Sequence, residues 1–207
     1  MRRTAMAMVL CLLVMAGCGQ QERPYAPLEA PTPAGSDPVQ AEPTESSPAQ
    51  EQPLPSGTQT IDIAEGMRVR VEWPANPDPL LKVMVDQYVG TREAVVEGKR
   101  VYKRNLELDA VFQASRWVQE LIDQGHSMRG TGRIYNLRVS ARMGSGAQVD
   151  ACVDESKVRL ISSRTGEVIS PHPDWTRPYA ESVAAHRGDD GVWRIRSYLT
   201  PREGCTR

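Results

Sequence analysis

No CxxC pair occurs in the chain, which excludes a thioredoxin-like redox site and a zinc clip. A GxSxG nucleophile elbow, an HExxH metal helix, a Walker loop and a GxGxxG turn are missing as well. Gly130-Thr131-Gly132 and Gly144-Ser145-Gly146 read as turns, and neither opens a helix whose amides could cradle a phosphate. Asp189-Asp190-Gly191 lacks the other ligands of a calcium loop. No metal and no cofactor is therefore expected. Lysine is scarce, with only Lys82, Lys99, Lys103 and Lys157, and no basic stripe points to nucleic acid. The most apolar stretch, from Val9 to Cys18, is well short of the ~20 residues that span a bilayer.

That stretch nevertheless organises the chain. Arg2 and Arg3 precede it, as in the positive start of an export leader, and it ends in Met15-Ala16-Gly17-Cys18. The ending resembles the lipobox of bacterial lipoproteins, with Met15 where leucine is usual. The resemblance implies that residues 1–18 are removed up to Cys18, whose thiol carries a diacylglycerol. The protein would then sit on the extracytoplasmic face of the cell membrane, bound through its N-terminus. An ordinary secretory leader cut nearby is the alternative.

Residues 19–60 hold nine prolines, from Pro24 to Pro55, among Ala, Gln, Ser and Glu. Six acidic residues stand there against Arg23, which leaves the remainder of this near-neutral chain slightly positive. Such a segment buries too little apolar surface to offset chain entropy and is expected to be a disordered tether. Its prolines favour an extended form with a reach of up to roughly 120 Å. Cys11 leaves with the leader and Cys18 takes the lipid, so Cys152 and Cys205 remain as an even pair. Export to an oxidising compartment favours a disulfide between them, with two buried thiols as the alternative.

Residues 61–207 carry the folded pattern. Met67, Val69, Val71 and Trp73 alternate with polar residues, as in a strand with one buried face. Asp78 and Pro79 read as cap and first turn of a helix from Leu80 to Glu97. Its apolar arc includes Leu81, Met84, Tyr88 and Val95, and Gly98 can end it. A polar connection follows, with Val101 and Tyr102 as anchors. A second helix is expected over Leu108 to Gln124, stopped by Gly125. Tyr135 to Arg142 and Val149 to Asp154 read as a hairpin. Short strands follow at Val158 to Ile161 and Val168-Ile169, then a loop from Pro171 to Pro178. A second hairpin, Tyr179 to Arg187 with Val192 to Leu199, turns at Asp189-Asp190-Gly191. The expected class is α+β, with N-terminal helices packed on a curved antiparallel sheet.

A helix pair, a curved sheet and a last strand reading Gly191-Val192-Trp193-Arg194-Ile195 together resemble the nuclear transport factor 2 superfamily over roughly residues 78–199. The whole chain is similar to actinobacterial envelope lipoproteins with a Pro-rich tether. The resemblance implies a cone-like cavity, and the superfamily includes polyketide cyclases, ketosteroid isomerases and dehydratases. Tyr88 and Tyr135 are the candidates to line such a cone. His126, in the loop after a helix, His172, between prolines, and His186, near a strand end, match no catalytic motif. Asp150 and Asp154 share a strand face with Cys152, opposite Val149, Ala151 and Val153, and are exposed if the valine face is the core. With no acid, base or nucleophile pair at a meaningful spacing, the domain is expected to be a non-catalytic binding or assembly module with an envelope protein partner. The alternative is a small-molecule binder or an isomerase-, cyclase- or dehydratase-like enzyme using the cone.

Overall fold

The computed structural model describes residues 54–170, 172–201 and 204–205. The lipobox, Cys18 and nearly all of the expected tether lie outside the described residues.

The domain opens with a hairpin, β1 (Gly57–Ala64) and β2 (Met67–Trp73), so the first four residues of β1 come from the segment whose composition reads as tether. Met67, Val69, Val71 and Trp73 are buried in strict alternation with Arg68, Arg70 and the half-buried Glu72. Asp78 caps the next element as expected, its carboxylate accepting from Leu80 N at 2.9 Å. A short 3-10 turn, Pro79–Leu81, leads into α1 (Lys82–Val96). In the following connection Tyr102 is an anchor as expected, but Val101 is 57 % exposed and Leu106 is buried instead. The Tyr102 ring lies over Gly90 and its hydroxyl donates to Asp86 O at 3.0 Å. Helix α2 (Leu108–Asp123) follows, and Gly125 in the left-handed region ends it.

Strand β3 (His126–Met143) is far longer than the alternating pattern indicates. It pairs with β4 (Gly146–Asp154) as a hairpin and with β5 (Val158–Ser162), which in turn pairs with β6 (Val168–Ser170). Strands β7 (Tyr179–Arg187) and β8 (Trp193–Leu199) complete an eight-stranded sheet whose main order is β1-β2-β3-β4-β7-β8. The sheet is mixed rather than antiparallel: β2 runs parallel to β3, with Met67 opposite Gly130 and Val71 opposite Ile134. Two strands also precede the helices. The parallel pair arises because both helices lie between β2 and β3 and return the chain to the same end of the sheet, as a crossover must. Irregular register in β3 near Asn136, which has φ 53°, helps the sheet bend around α1.

Gly130-Thr131-Gly132 is thus strand, not turn. Its glycines are set by close approach. An added Cβ on Gly132 would lie 2.1 Å from the Tyr88 hydroxyl, and one on Gly130 would lie 2.2 Å from Lys157 O. Gly132→Ala is therefore expected to lose about 1–3 kcal/mol of stability by overpacking, read from a urea denaturation midpoint. An unchanged midpoint would mean that Tyr88 does not stand over this strand.

The core fills the helix-facing side of the sheet. It contains Met84, Tyr88 and Val95 from α1, Ala110, Val118 and Leu121 from α2, and Val149, Val153, Val183 and Ile195 from the strands.

Candidate functional site

Helix α1 carries Gln87, Tyr88, Thr91 and Arg92 on its buried side. Arg92 stands one turn beyond Tyr88, so both project toward the sheet. On β7, Tyr179, Glu181 and Val183 pair with Val153, Ala151 and Val149, placing them on the face that holds the core. Tyr198 of β8 pairs with Val183 and joins the same face. Glu155, one residue past β4, continues the alternation of Ala151 and Val153 inward and is wholly buried.

These positions build a charged network inside the domain. Glu155 accepts from the Tyr88 hydroxyl at 2.8 Å, from the Tyr179 hydroxyl at 2.8 Å and from Arg92 Nε at 3.1 Å. A second guanidinium nitrogen of Arg92 stands 3.0 Å from the same carboxylate. Arg92 also donates to the Thr91 hydroxyl at 3.0 Å and to the Tyr179 hydroxyl at 3.2 Å. Its guanidinium lies 4.0 Å from the centroid of the Tyr88 ring and 4.6 Å from that of Trp117. Burial works against the Arg92 cation, yet Glu155, Tyr179 and Tyr88 hold its pKa above the ordinary arginine value. The Tyr88 and Tyr179 hydroxyls are pushed well above the usual tyrosine value, first by burial and then by the Glu155 charge. Glu155 is thus a fully paired carboxylate that fixes two phenols and a guanidinium.

Beside this network lies a cavity of about 240 Å³. Gln87 and Arg92 of α1, Ala114 and Trp117 of α2, Tyr179 and Glu181 of β7, and Tyr198 of β8 line it. Gln87 is 4 % exposed, and its Oε1 has no partner among the described residues. The buried Tyr198 hydroxyl likewise makes no hydrogen bond there. Gln87 is close enough to oppose the upward shift that burial gives this phenol, without forming a bond of ordinary geometry. Glu181, half-buried at the wall, makes no hydrogen bond or ion pair among the described residues. Burial raises its pKa; the Arg92 cation lowers it and the Glu155 anion adds to the rise.

The residues singled out from the sequence fall in different places. Tyr88 enters the network beneath the cavity but does not line it. Tyr135 pairs with Cys152 and lies on the outer face of the sheet, where the Arg133 guanidinium covers its ring at 4.3 Å. Cys152 and Cys205 form a disulfide with Cα atoms 5.7 Å apart. Asp150 is on the outer face, accepting from Ser182 at 2.6 Å and Gln148 at 2.9 Å. His126 is the first residue of β3 rather than a loop residue. His172 stacks on Trp175, and His186 Nδ1 lies 3.9 Å from Glu107. No histidine lines the cavity. Among the described residues, no group of three or more His, Cys, Asp or Glu could hold a metal. Nor is any helix there long and apolar enough to cross a membrane.

Arg92, Glu155, Tyr179, Glu181 and Tyr198 are the site residues that the sequence pattern does not single out. For Arg92 a signal exists, since it lies four residues after Tyr88 and three before Val95, inside the apolar arc.

No family model matches the chain, and no curated protein matches it. Solved structures to which the chain shows a likeness include the intermembrane space region of chloroplast protein ARC6, at 13% identity and TM-score 0.34 over 57% of this chain and 95% of that one. Another is a ketosteroid isomerase-like protein from Erwinia carotovora atroseptica SCRI1043, at 13% identity and TM-score 0.32 over 60% of this chain and 99% of that one. Likenesses at this level assign no function. Two helices on a curved mixed sheet are consistent with the nuclear transport factor 2 type of fold that the sequence resembles.

Proposed function

We propose that this chain is a lipid-anchored envelope protein whose folded domain binds a small molecule, without catalysis, in the cavity between α1, α2 and the β7–β8 hairpin. One observation carries the binding reading: a cavity of about 240 Å³ opens between both helices and the hairpin, and the Glu181 carboxyl on its wall makes no hydrogen bond or ion pair among the described residues. Polar groups withdrawn from water are normally paired, so a half-buried carboxyl without such a partner on the wall of a cavity favours a ligand that pairs it. The non-catalytic part rests on the chemistry of the walls. Glu155 is neutralised by Arg92, the buried phenols are driven away from neutral pH, and Glu181, the one wall carboxyl that burial moves upward, has no histidine and no second unpaired carboxyl beside it in the wall. General acid–base work needs groups tuned toward the working pH.

Ligand-observed NMR tests the cavity with a panel of neutral, anionic and cationic compounds small enough for it. Binding by at least one compound, abolished by the cavity-filling change Ala114→Met in a variant that keeps the wild-type fold by circular dichroism, supports the reading. No binding across the panel, or binding indifferent to Ala114→Met, overturns it.

The anchoring part rests on Met15-Ala16-Gly17-Cys18 behind a charged apolar leader. Stable anchoring takes more than one acyl chain, which a lipoprotein cysteine supplies. A tethered domain gains local concentration around envelope proteins in the same membrane, so an envelope protein is the partner class this arrangement suits. Cys18→Ser is expected to shift the protein from the membrane to the soluble fraction, or to leave it unprocessed, as read by fractionation and by intact mass. Unaltered processing and membrane retention would defeat the lipobox assignment.

A further inference from the structure

We infer that the outer face of the sheet, across β2, β3 and β5, docks on anionic phospholipid at the surface of the anchoring membrane, an inference that rests on the anchoring reading above. The register builds this face. Arg68 and Arg70 alternate with the buried Val69 and Val71, so they point away from the core. Arg68 stands opposite Thr131, and Arg70 opposite Arg133. Arg129 stands opposite Arg159 of β5. Val158 is wholly buried, so its neighbours Lys157 and Arg159 turn outward. Like charges directly opposite one another destabilise a sheet. This face holds two such pairs, Arg70 with Arg133 and Arg129 with Arg159.

Local pairing relieves only part of the charge. Glu72 accepts from two guanidinium nitrogens of Arg133 and lies 3.7 Å from Arg70, so one carboxylate serves two cations. Asp62 is 3.8 Å from Arg68 at an exposed position, a pair worth little. Asp154, opposite Arg133, accepts from Ser156 N. Arg159 donates to the Ser156 and Val158 carbonyls, which leave its charge uncancelled. The Arg129 and Lys157 side chains make no hydrogen bond or ion pair among the described residues. At the rim, Glu65 and Glu167 stand against Arg164, and the excess stays positive.

Three further features favour a bilayer over another polyanion. A hollow of about 430 Å³ opens in the face, with Arg70, Thr131, Arg133, Ser156 and Lys157 in its walls beside Glu72 and Asp154. Guanidinium, ammonium and hydroxyl donors together suit the phosphate of a lipid headgroup. Beyond β5 the sheet ends in β6, where Val168 and Ile169 are exposed. Apolar side chains beside a basic face can enter the boundary between headgroups and acyl chains. An acidic peptide, the chain's own tether included, would leave them in water. The chain also enters the domain through β1, whose Thr60 and Asp62 stand opposite Arg70 and Arg68, so the anchor is joined at the margin of this face. Each cation near an anionic surface adds a modest attraction, and the anchor supplies the local concentration that makes it sufficient.

The lysines provide the test. Lys157 is on the face, whereas Lys82 opens α1, and Lys99 and Lys103 lie in the connection between the helices. The processed protein is reconstituted on vesicles of phosphatidylcholine, alone or with one part in three of phosphatidylglycerol. Acetylation by a water-soluble active ester is then followed at each lysine by mass spectrometry. On phosphatidylglycerol, Lys157 is expected to react about 10-fold more slowly, relative to the other lysines, than on phosphatidylcholine, and high salt should abolish the difference. Arg68→Thr with Arg129→Thr should return that ratio to within about twofold of the phosphatidylcholine value. The double variant should melt no lower than wild type, since it loses only an exposed ion pair and relieves the Arg129–Arg159 opposition. A structural role for these arginines would lower it. Equal Lys157 labelling on the two vesicle types, or slowing that survives the double variant, overturns the inference. So does slowing by free glycerol 3-phosphate on phosphatidylcholine, which would make the hollow a site for a soluble phosphate ester. Retention on phosphatidylcholine reads the anchor alone. A protein that stays on both vesicles with equal labelling loses the docking face and keeps the anchor. One that leaves phosphatidylcholine while phosphatidylglycerol still shields Lys157 loses the anchor and keeps the face.

Discussion

Arg92→Met is expected to cost about 3–5 kcal/mol of unfolding free energy, more than any change at the cavity rim. The cause is what remains behind. Glu155 is wholly buried, and the Arg92 side chain, only 6 % exposed, supplies its entire positive partner. Two phenol donors cannot replace a cation. Urea denaturation of both proteins at neutral pH measures this. An unchanged midpoint would mean that the buried Glu155 carboxylate does not depend on the Arg92 charge. Adding Glu155→Gln should recover part of the loss at neutral pH, since the stranded charge is then gone.

The paired change Cys152→Ser with Cys205→Ser should cost about 4 kcal/mol on the chain-entropy model, for a bond whose cysteines are 53 residues apart. The bond ties the C-terminal tail to the outer face of β4, next to the β7 partner at Ala180. The cavity lies on the opposite face, so ligand affinity should hold at temperatures well below melting. Denaturant midpoints with and without a reducing agent give the measurement. The wild type should lose stability on reduction, and the double variant should not respond to the agent. A wild type indifferent to reduction would show that the tail is ordered without the bond.

Much of the fold is legible because burial follows simple periods. The alternation in β2, the wide arc of α1 and the turn at Asp189-Asp190-Gly191 each mark an element within a few residues. The site is less legible because it is tertiary. Glu155 stands in Asp154-Glu155-Ser156-Lys157, which reads as a polar turn, and only partners far away in sequence, Arg92 and Tyr88 on α1 and Tyr179 on β7, make it a buried ion. Gly130 and Gly132 read as a turn for a related reason. The groups that demand their missing side chains, Lys157 O and the Tyr88 hydroxyl, are contributed by other elements. The parallel pairing of β2 could not be read from β2 at all, since alternation is the same for either strand direction.

The parallel register of β2 against β3 also dictates an order of assembly. A chain is made from its N-terminus, so the β1–β2 hairpin appears before any strand that can cover its inner edge. Its partner, Gly130 to Ile134, follows only after both helices have been made. An isolated two-stranded hairpin is marginal in water, and contacts between distant segments form slowly because the intervening loop must close first. The N-terminal hairpin should therefore be among the last parts of the sheet to lock. Until then its open edge is a template that any other unpaired strand can join.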